Sequence, residues 1–228
     1  MNLGKSVLLW DIDGTLLRME NSKLDKHTRA MNNILKSNCV GISDTYGMTD
    51  LQIIEESAKE NSIIMNEKEV GAILQNLEML SAIEIEDFPL VENLNITQTL
   101  EATSSMNFTN GLLTGNSMNR AIRKIESAGL TKFFDFSLSY FGDKAQNRIG
   151  LVQSCITSIG QENIKKIVII GDSPRDIEAA KEFGIRVIAV ATGKHSYQEL
   201  FNFSPSLLLK DLKTDFDNFI NYLENISK

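Results

Sequence analysis

The chain has 228 residues, a formal net charge of −7, 42% hydrophobic and 23% charged residues. That is enough apolar sequence for one large domain or for a core with a smaller domain inserted, and the acidic balance argues against a general affinity for nucleic acid backbones or anionic membranes. No apolar run approaches the roughly 18 residues of a membrane helix, and the amino terminus reads as no signal peptide because acids follow Trp10.

The first predicted element is Val7-Leu8-Leu9-Trp10, an apolar run that reads as a short strand buried on both faces. It leads into Asp11-Ile12-Asp13-Gly14-Thr15. Alternate residues of a strand point the same way, so Asp11 and Asp13 start on one side of its carboxyl end, and Gly14 lets the chain turn sharply. Two carboxylates so placed repel each other unless a cation or a proton lies between them. From Leu17 to about Leu100 the periodicity is helical. His27, Ala30, Met31, Ile34 and Leu35 form one stripe, Leu51, Ile54 and Ala58 a second, and Val70, Ile73, Leu74 and Leu77 a third. The spacing predicts an all-helical insert over residues 17–100, between core segments 1–16 and 101–228. Cys39 and Cys155 read as small buried side chains in a reducing, cytoplasmic compartment, and with His27 and His195 as the two histidines a histidine-rich zinc site is not expected.

From Met106 onward strands and helices alternate. Residues 111–114 read as a strand, then Gly115-Asn116-Ser117 and a helix with Ala121, Ile122, Ile125 and Ala128 inward, closed by Gly129. The aromatic stretch 133–141 reads as a third strand, and a helix from about Ala145 buries Leu151, Val152, Cys155, Ile156 and Ile159. Residues 167–170 form the clearest strand, ending in Gly171-Asp172-Ser173-Pro174, where Ser173 caps a helix and Pro174 suits its first position. Residues 187–190 make a further strand, 207–209 an edge strand and 211–226 a final helix. Repeated strand–helix units with apolar strands predict an α/β fold with a doubly wound parallel sheet, the helical insert lying over its carboxyl edge.

Strand ends of a parallel sheet share one edge. Asp11, Asp13, Thr114, Asn116, Asp143, Lys144, Asp172 and Asp176 should therefore converge there, with Arg148 on the following helix. Acids, a hydroxyl and a cation in one crevice are an inventory for phosphoryl transfer. Carboxylate oxygens suit Mg²⁺, and the hydroxyl and cation can hold phosphoryl oxygens as their charge redistributes.

Asp11-Ile12-Asp13-Gly14-Thr15-Leu16, Leu112-Leu113-Thr114-Gly115-Asn116 and Gly171-Asp172-Ser173-Pro174-Arg175-Asp176 resemble motifs I, II and IV of the haloacid dehalogenase (HAD) superfamily, in the right order. The insertion directly after motif I resembles its C1-capped, phosphoglycolate phosphatase-like branch, whose core is Rossmann-like. The resemblance implies a Mg²⁺-dependent phosphomonoester hydrolase acting on a small phosphorylated metabolite. It implies Asp11 as the nucleophile that forms an aspartyl-phosphate and Asp13 as general acid and then base. Mg²⁺ would be held by Asp11, the Asp13 backbone carbonyl and Asp172. Thr114, with Gly115 and Asn116, would bind phosphoryl oxygens, and Asp176 would orient the metal site or the motif III cation. Motif III departs from the family pattern, reading Gly142-Asp143-Lys144-Ala145-Gln146-Asn147-Arg148. Lys144 is the residue type the family uses; Arg148 lies nearer the expected distance from Thr114 and is preferred, because a guanidinium can grip two oxygens at once.

A phosphate ester needs an acid such as Asp13 for its leaving alkoxide, which a dehalogenation does not. The alternative within the superfamily is a β-phosphoglucomutase-like phosphotransferase, though Leu16-Leu17-Arg18-Met19-Glu20-Asn21 lacks the threonine-aspartate-threonine run typical of that group. An alternative of another class is a non-enzymatic phospho-aspartate signalling domain, which carries adjacent acids on its first strand and no large insertion. Substrate choice is expected in the turn Thr45-Tyr46-Gly47-Met48-Thr49-Asp50, at Tyr46, Gly47, Thr49 and Asp50, together with Arg18. No nucleic acid or membrane partner is expected, and a monomer and a homodimer are equally open.

Overall fold

Strand β1 (Ser6–Trp10) lies at the centre of a parallel sheet because its residues are apolar on both faces: Leu8 and Trp10 face one layer of helices, Val7 and Leu9 the other, all fully buried. The computed structural model describes residues 4–19, 25–87, 89–106 and 108–227, so Glu20 and Asn21 of the run after motif I lie outside the described residues. After β1 come β2 (Leu17–Met19), α1 (Lys26–Leu35), α2 (Asp50–Glu60), α3 (Glu67–Asp87), β3 (Leu90–Glu92) and α4 (Ile96–Ser105). The remaining elements are β4 (Phe108–Thr114), α5 (Met118–Ser127), β5 (Tyr140–Phe141), α6 (Arg148–Ile159), β6 (Ile167–Gly171), α7 (Pro174–Glu182), β7 (Arg186–Val190), α8 (Tyr197–Phe201), β8 (Leu207–Leu209) and α9 (Phe216–Ile226).

The six-stranded sheet runs β5-β4-β1-β6-β7-β8 with every pairing parallel, as expected of a doubly wound fold. Ile96, Leu100, Ala121, Ile125, Phe219 and Leu223, from α4, α5 and α9, cover one face. Leu151, Val152, Cys155, Ile177, Ala180 and Leu200, from α6, α7 and α8, cover the other. Each buried Leu, Ile, Val or Phe side chain among these contributes about 1.5–3 kcal/mol. Trp10, the largest buried side chain, also donates its indole N–H to Asn110 Oδ1 (2.9 Å), so its polar atom is satisfied.

Helices α1–α3 pack around a separate cluster that includes Ala30, Met31, Ile54, Ala58, Ile73 and Leu77. The insert is not helical throughout: β2 and β3 pair antiparallel at its two ends, Leu17 opposite Glu92. Three-residue strands are too short for alternation to be read. Helix α4 packs on the sheet, with Ile96 and Leu100 in the same cluster as Leu8 and Trp10.

Two other expectations change. The stretch 133–141 begins at the end of one 3₁₀ turn (Thr131–Phe133) and contains a second (Phe136–Leu138), and only Tyr140–Phe141 pair with β4. Asp135 accepts the N–H and hydroxyl of Ser137 and gives its own N–H to Asn110, so local hydrogen bonding displaces the ladder. The last helix starts at Phe216, because the Asp211 carboxylate takes the N–H groups of Lys213 and Thr214 in a turn. Among the described residues no helix is long and apolar enough to cross a membrane.

Candidate active site

Asp11 follows β1 and stays in register, its N–H donating to Ile170 O of β6 (2.9 Å), so the side chain is delivered to the carboxyl edge. Asp172 and Asp176 reach the same place from the end of β6 and the first turn of α7. One carboxylate oxygen from each of Asp11, Asp172 and Asp176 lies within 4.8 Å of the others, and all three residues are buried. The turn after β6 is fixed by a capping box: Ser173 receives the Asp176 N–H, and the Asp176 carboxylate receives the Ser173 N–H. Asp172 is bracketed by glycines. A Cβ at Gly14, whose φ is +87°, or at Gly193 would overlap its carboxylate, and Thr15 Oγ1 donates to Asp172 Oδ1 (2.9 Å).

Arg148, at the start of α6 behind the Asn147 cap, sends Nη2 between Asp11 (Oδ1 at 3.1 Å) and Asp176. Its Nε and Nη1 are buried without a partner while the residue borders the cavity. Lys144 goes elsewhere: its side chain is 78% exposed and pairs with neighbouring Asp143 at 3.5 Å. The turn before α6 points it to solvent, and the structure brings Arg148 to the acids instead.

Burial raises the Asp11 carboxyl to about 6, with Asp176 and Asp13 pushing the same way and Arg148 opposing. Burial likewise lifts Asp172 well above the usual carboxylate range, with Asp11 and Asp176 adding to it. Three carboxylates facing one guanidinium leave two negative charges for a cation to balance.

The Asp13 carboxylate is not part of this group. It turns to α5, where Lys124 Nζ meets both of its oxygens at 2.6 Å and Asn116 Nδ2 donates to Oδ2 at 2.7 Å. Burial alone would raise Asp13; the charge and hydrogen bond of Lys124 outweigh it and hold the carboxyl at about 2. Thr114 is fully buried at the end of β4, and its hydroxyl accepts from Asn116 Nδ2 (2.9 Å). Asn116 thus spends its side chain on Asp13, Thr114 and Lys124. Gly115 sits beneath the insert: its carbonyl accepts the Asp50 N–H (2.7 Å), and a Cβ there would strike Met48 O.

A cavity of about 890 Å³ opens above the acids, bordered by Asp11, Asp13, Arg148 and Asp172 below and by the insert above. Of the residues expected to set substrate choice, Arg18, Tyr46, Gly47 and Asp50 border it and Thr49 does not. Thr49 is fully buried as the cap of α2, accepting the Gln52 N–H at 3.0 Å. Asp50 is committed to the core: its oxygens take the Ser117 N–H (2.7 Å), the Arg120 guanidinium and His27 (2.9 Å), and these partners hold its carboxyl well below its usual range against the effect of burial. Arg18 reaches Asn93 Oδ1 at 3.5 Å. The Tyr46 ring lies under Lys194 Nζ, 4.4 Å from its centroid, and its carbonyl accepts from Arg175. Gly47, with φ at +71°, packs on Ser173.

Arg120, Lys124, Lys194, Thr15 and Gly193 were not legible as site residues. For α5 a signal was present: Arg120 and Lys124 are spaced i, i+4 and stand beside Ala121 and Ile125 on the inward face.

The profile of the haloacid dehalogenase-like hydrolases matches residues 8–190. The fold is similar to that of a haloacid dehalogenase-like family protein from Streptococcus pneumoniae (19% identity, 94% of this chain on 98% of that one, TM-score 0.62). It is also similar to a predicted phosphoglycolate phosphatase from Haemophilus somnus (18%, 96% on 99%, TM-score 0.63) and to CbbY from Rhodobacter sphaeroides in complex with phosphate (16%, 92% on 96%, TM-score 0.66). At these identities the likeness establishes the fold. No curated protein matches the chain.

Proposed function

The chain belongs to the haloacid dehalogenase-like hydrolase family, and we propose that it is a phosphomonoesterase that acts on a small phosphorylated metabolite through an aspartyl-phosphate on Asp11. Membership of a hydrolase family sets the signalling alternative aside. The observation that carries the reading is the meeting of Asp11, Asp172, Asp176 and Arg148 at one buried point beneath the cavity.

The donor set fits a hard divalent cation. It consists of carboxylate oxygens and carries excess negative charge that burial makes costly to leave unbalanced. Asp11 and Asp172 would hold Mg²⁺, with the Asp13 backbone carbonyl as the third protein ligand. Bound there, Mg²⁺ would neutralise the phosphoryl oxygens, so that an anionic nucleophile can approach an anionic ester.

The protein's own groups do the rest. Arg148 keeps Asp11 oriented through Nη2 and offers Nε and Nη1 to phosphoryl oxygens. Thr114 Oγ1 gives a further hydrogen bond to the phosphoryl group. Asp11 attacks phosphorus as the bond to the leaving oxygen breaks, and Asp13 supplies the proton to that oxygen. Held by Lys124, Asp13 is a carboxylate at rest; the phosphoryl charge arriving beside it raises its proton affinity in the substrate complex. In the second half Asp13 accepts a proton from the water that attacks the phospho-aspartate. Helices α1–α3 act as the lid that excludes bulk water, and Tyr46, Gly47 and Arg18 face the part of the substrate that is not transferred.

The test is phosphate release from a panel of phosphoglycolate, sugar phosphates, nucleotides and pyrophosphate, with Mg²⁺ or EDTA. Release that requires Mg²⁺ and vanishes in Asp11→Asn supports the reading. Release that survives that substitution rejects it.

A further inference from the structure

Lys124 belongs to none of the motifs, yet it makes the closest polar contacts to Asp13. We propose that Lys124 is the positioning residue that aims Asp13 at the leaving oxygen; the inference rests on the phosphomonoesterase reading above.

Lys124 stands on the inward face of α5, 5% exposed, beside Ala121 and Ile125. A buried ammonium is costly unless fully paired, and a position wanted only for packing would carry an aliphatic side chain like its neighbours. All three of its donors are used: Asp13 Oδ1, Asp13 Oδ2 and Asn116 Oδ1, at 2.6, 2.6 and 2.9 Å. Asn116 in turn donates to Asp13 Oδ2 and to Thr114 Oγ1. The ammonium therefore sets the acid–base carboxylate and, through one amide, its register with the phosphoryl-binding hydroxyl.

Asp13 needs such a hold. It is 52% exposed at the cavity wall, beside the turn at Gly14, and the contacts that fix its carboxylate are those of Lys124 and Asn116. Arg120, the other basic residue on that face of α5, spends its guanidinium on Asp50 and Ser81. Lys124 takes no part in the proton transfers. In the first half-reaction an oxygen of Asp11 bonds to phosphorus, the bond to the leaving oxygen breaks, and that oxygen takes the proton from Asp13. In the second, water oxygen bonds to phosphorus, the bond to Asp11 breaks, and the water proton goes to Asp13.

A positioning role predicts dependence on the leaving group, which a structural role does not. The experiment measures kcat/KM for p-nitrophenyl phosphate, whose leaving oxygen needs no proton, and for the alkyl phosphate of the panel turned over fastest. It compares wild type, Asp13→Asn, Lys124→Met and Lys124→Arg, with melting temperatures for each. Lys124→Met is expected to lower the alkyl value about 100-fold and the aryl value no more than about tenfold, following Asp13→Asn. Lys124→Arg, which keeps the charge and can meet both oxygens, is expected to bring the alkyl-to-aryl ratio back to within about threefold of wild type. Equal losses on both substrates would leave Lys124 as a packing residue and overturn the inference while the phosphomonoesterase reading stands. If Lys124→Met fails to fold, Lys124→Gln replaces it with the same two outcomes. If wild type and Asp11→Asn release phosphate alike, the reading and this inference fall together.

Discussion

The Nη2 of Arg148 lies 3.1 Å from Asp11 Oδ1 and bonds Asp176 with the same nitrogen, tying the end of β1 to the first turn of α7. The residue is 3% exposed, so both carboxylates depend on it for charge balance. Replacing Arg148 with Met strands two buried acids, which should cost about 3–5 kcal/mol. It also removes two donors from the phosphoryl site, which should lower turnover by about 100-fold or more. Lys144→Ala, at an exposed position, should stay within about 0.5 kcal/mol of wild type and keep full turnover. Thermal melts and phosphate release on the two variants decide between the cations; a loss confined to Lys144→Ala would reverse the assignment.

Asp50 behaves as a strut between insert and core. Three hydrogen bonds reach its carboxylate, and its backbone N–H is held by Gly115. Asp50→Ala removes the carboxylate paired with buried Arg120 and leaves it the Ser81 hydroxyl, with an expected cost of about 3–5 kcal/mol. It should raise KM by similar factors for every substrate in the panel. Tyr46→Ala should instead change the ranking of substrates with little effect on melting. A reranking in Asp50→Ala at unchanged melting temperature would return Asp50 to the substrate loop.

Gly193 leaves no room for a methyl group beside Asp172. Gly193→Ala should push that carboxylate aside and weaken Mg²⁺ binding by about 10–100-fold, as loss of support behind a metal ligand does. Gly71→Ala is the control. Nothing lies within 4 Å of a Cβ there, and in mid-helix the change should stabilise by about 0.5–1 kcal/mol. Calorimetric titration with Mg²⁺ reads the first and a thermal melt the second; undiminished binding in Gly193→Ala would show that Asp172 is not a ligand.

Asp11 gives a pH dependence with a definite sign. Its carboxyl lies at about 6 in the folded chain against 3.8 as the ordinary value, so the folded state binds that proton more tightly. Without Mg²⁺ this contribution to stability is fully present below the ordinary value and is lost as pH rises through about 6. A cation needs both Asp11 and Asp172 ionised, so Mg²⁺ affinity should fall toward acid, by at least about tenfold per unit once Asp11 takes its proton. Melting curves with and without Mg²⁺ between pH 5 and 8 would show the Mg²⁺-induced rise shrinking toward acid; a rise independent of pH would contradict the assignment.

The central strands and the acids at their carboxyl ends were legible because β1 and β6 are nearly continuous apolar runs that lead straight into Asp11 and Asp172. The polar scaffold behind them was hidden for a physical reason. Arg120 and Lys124 belong to no motif, and only the fold shows Asp50 and Asp13 as the acids they pair with on the inward face of α5. Thr49 and Asp50 read equally well as a helix start and as a substrate loop, and the start is what the backbone uses: Thr49 caps α2. The stretch 133–141 has the aromatic content of a strand, but the turn held by Asp135 interrupts it.

In the proposed reaction Asp11 is the first acceptor of the phosphoryl group. The direct measurement is mass spectrometry of peptides from enzyme quenched in acid during turnover of its best substrate. The expected result is the mass of one phosphoryl group on the peptide that carries Asp11, absent in Asp11→Asn and lost when the enzyme is diluted into substrate-free buffer before the quench. Turnover with no phosphoryl group on that peptide, or with one on another residue, would contradict it.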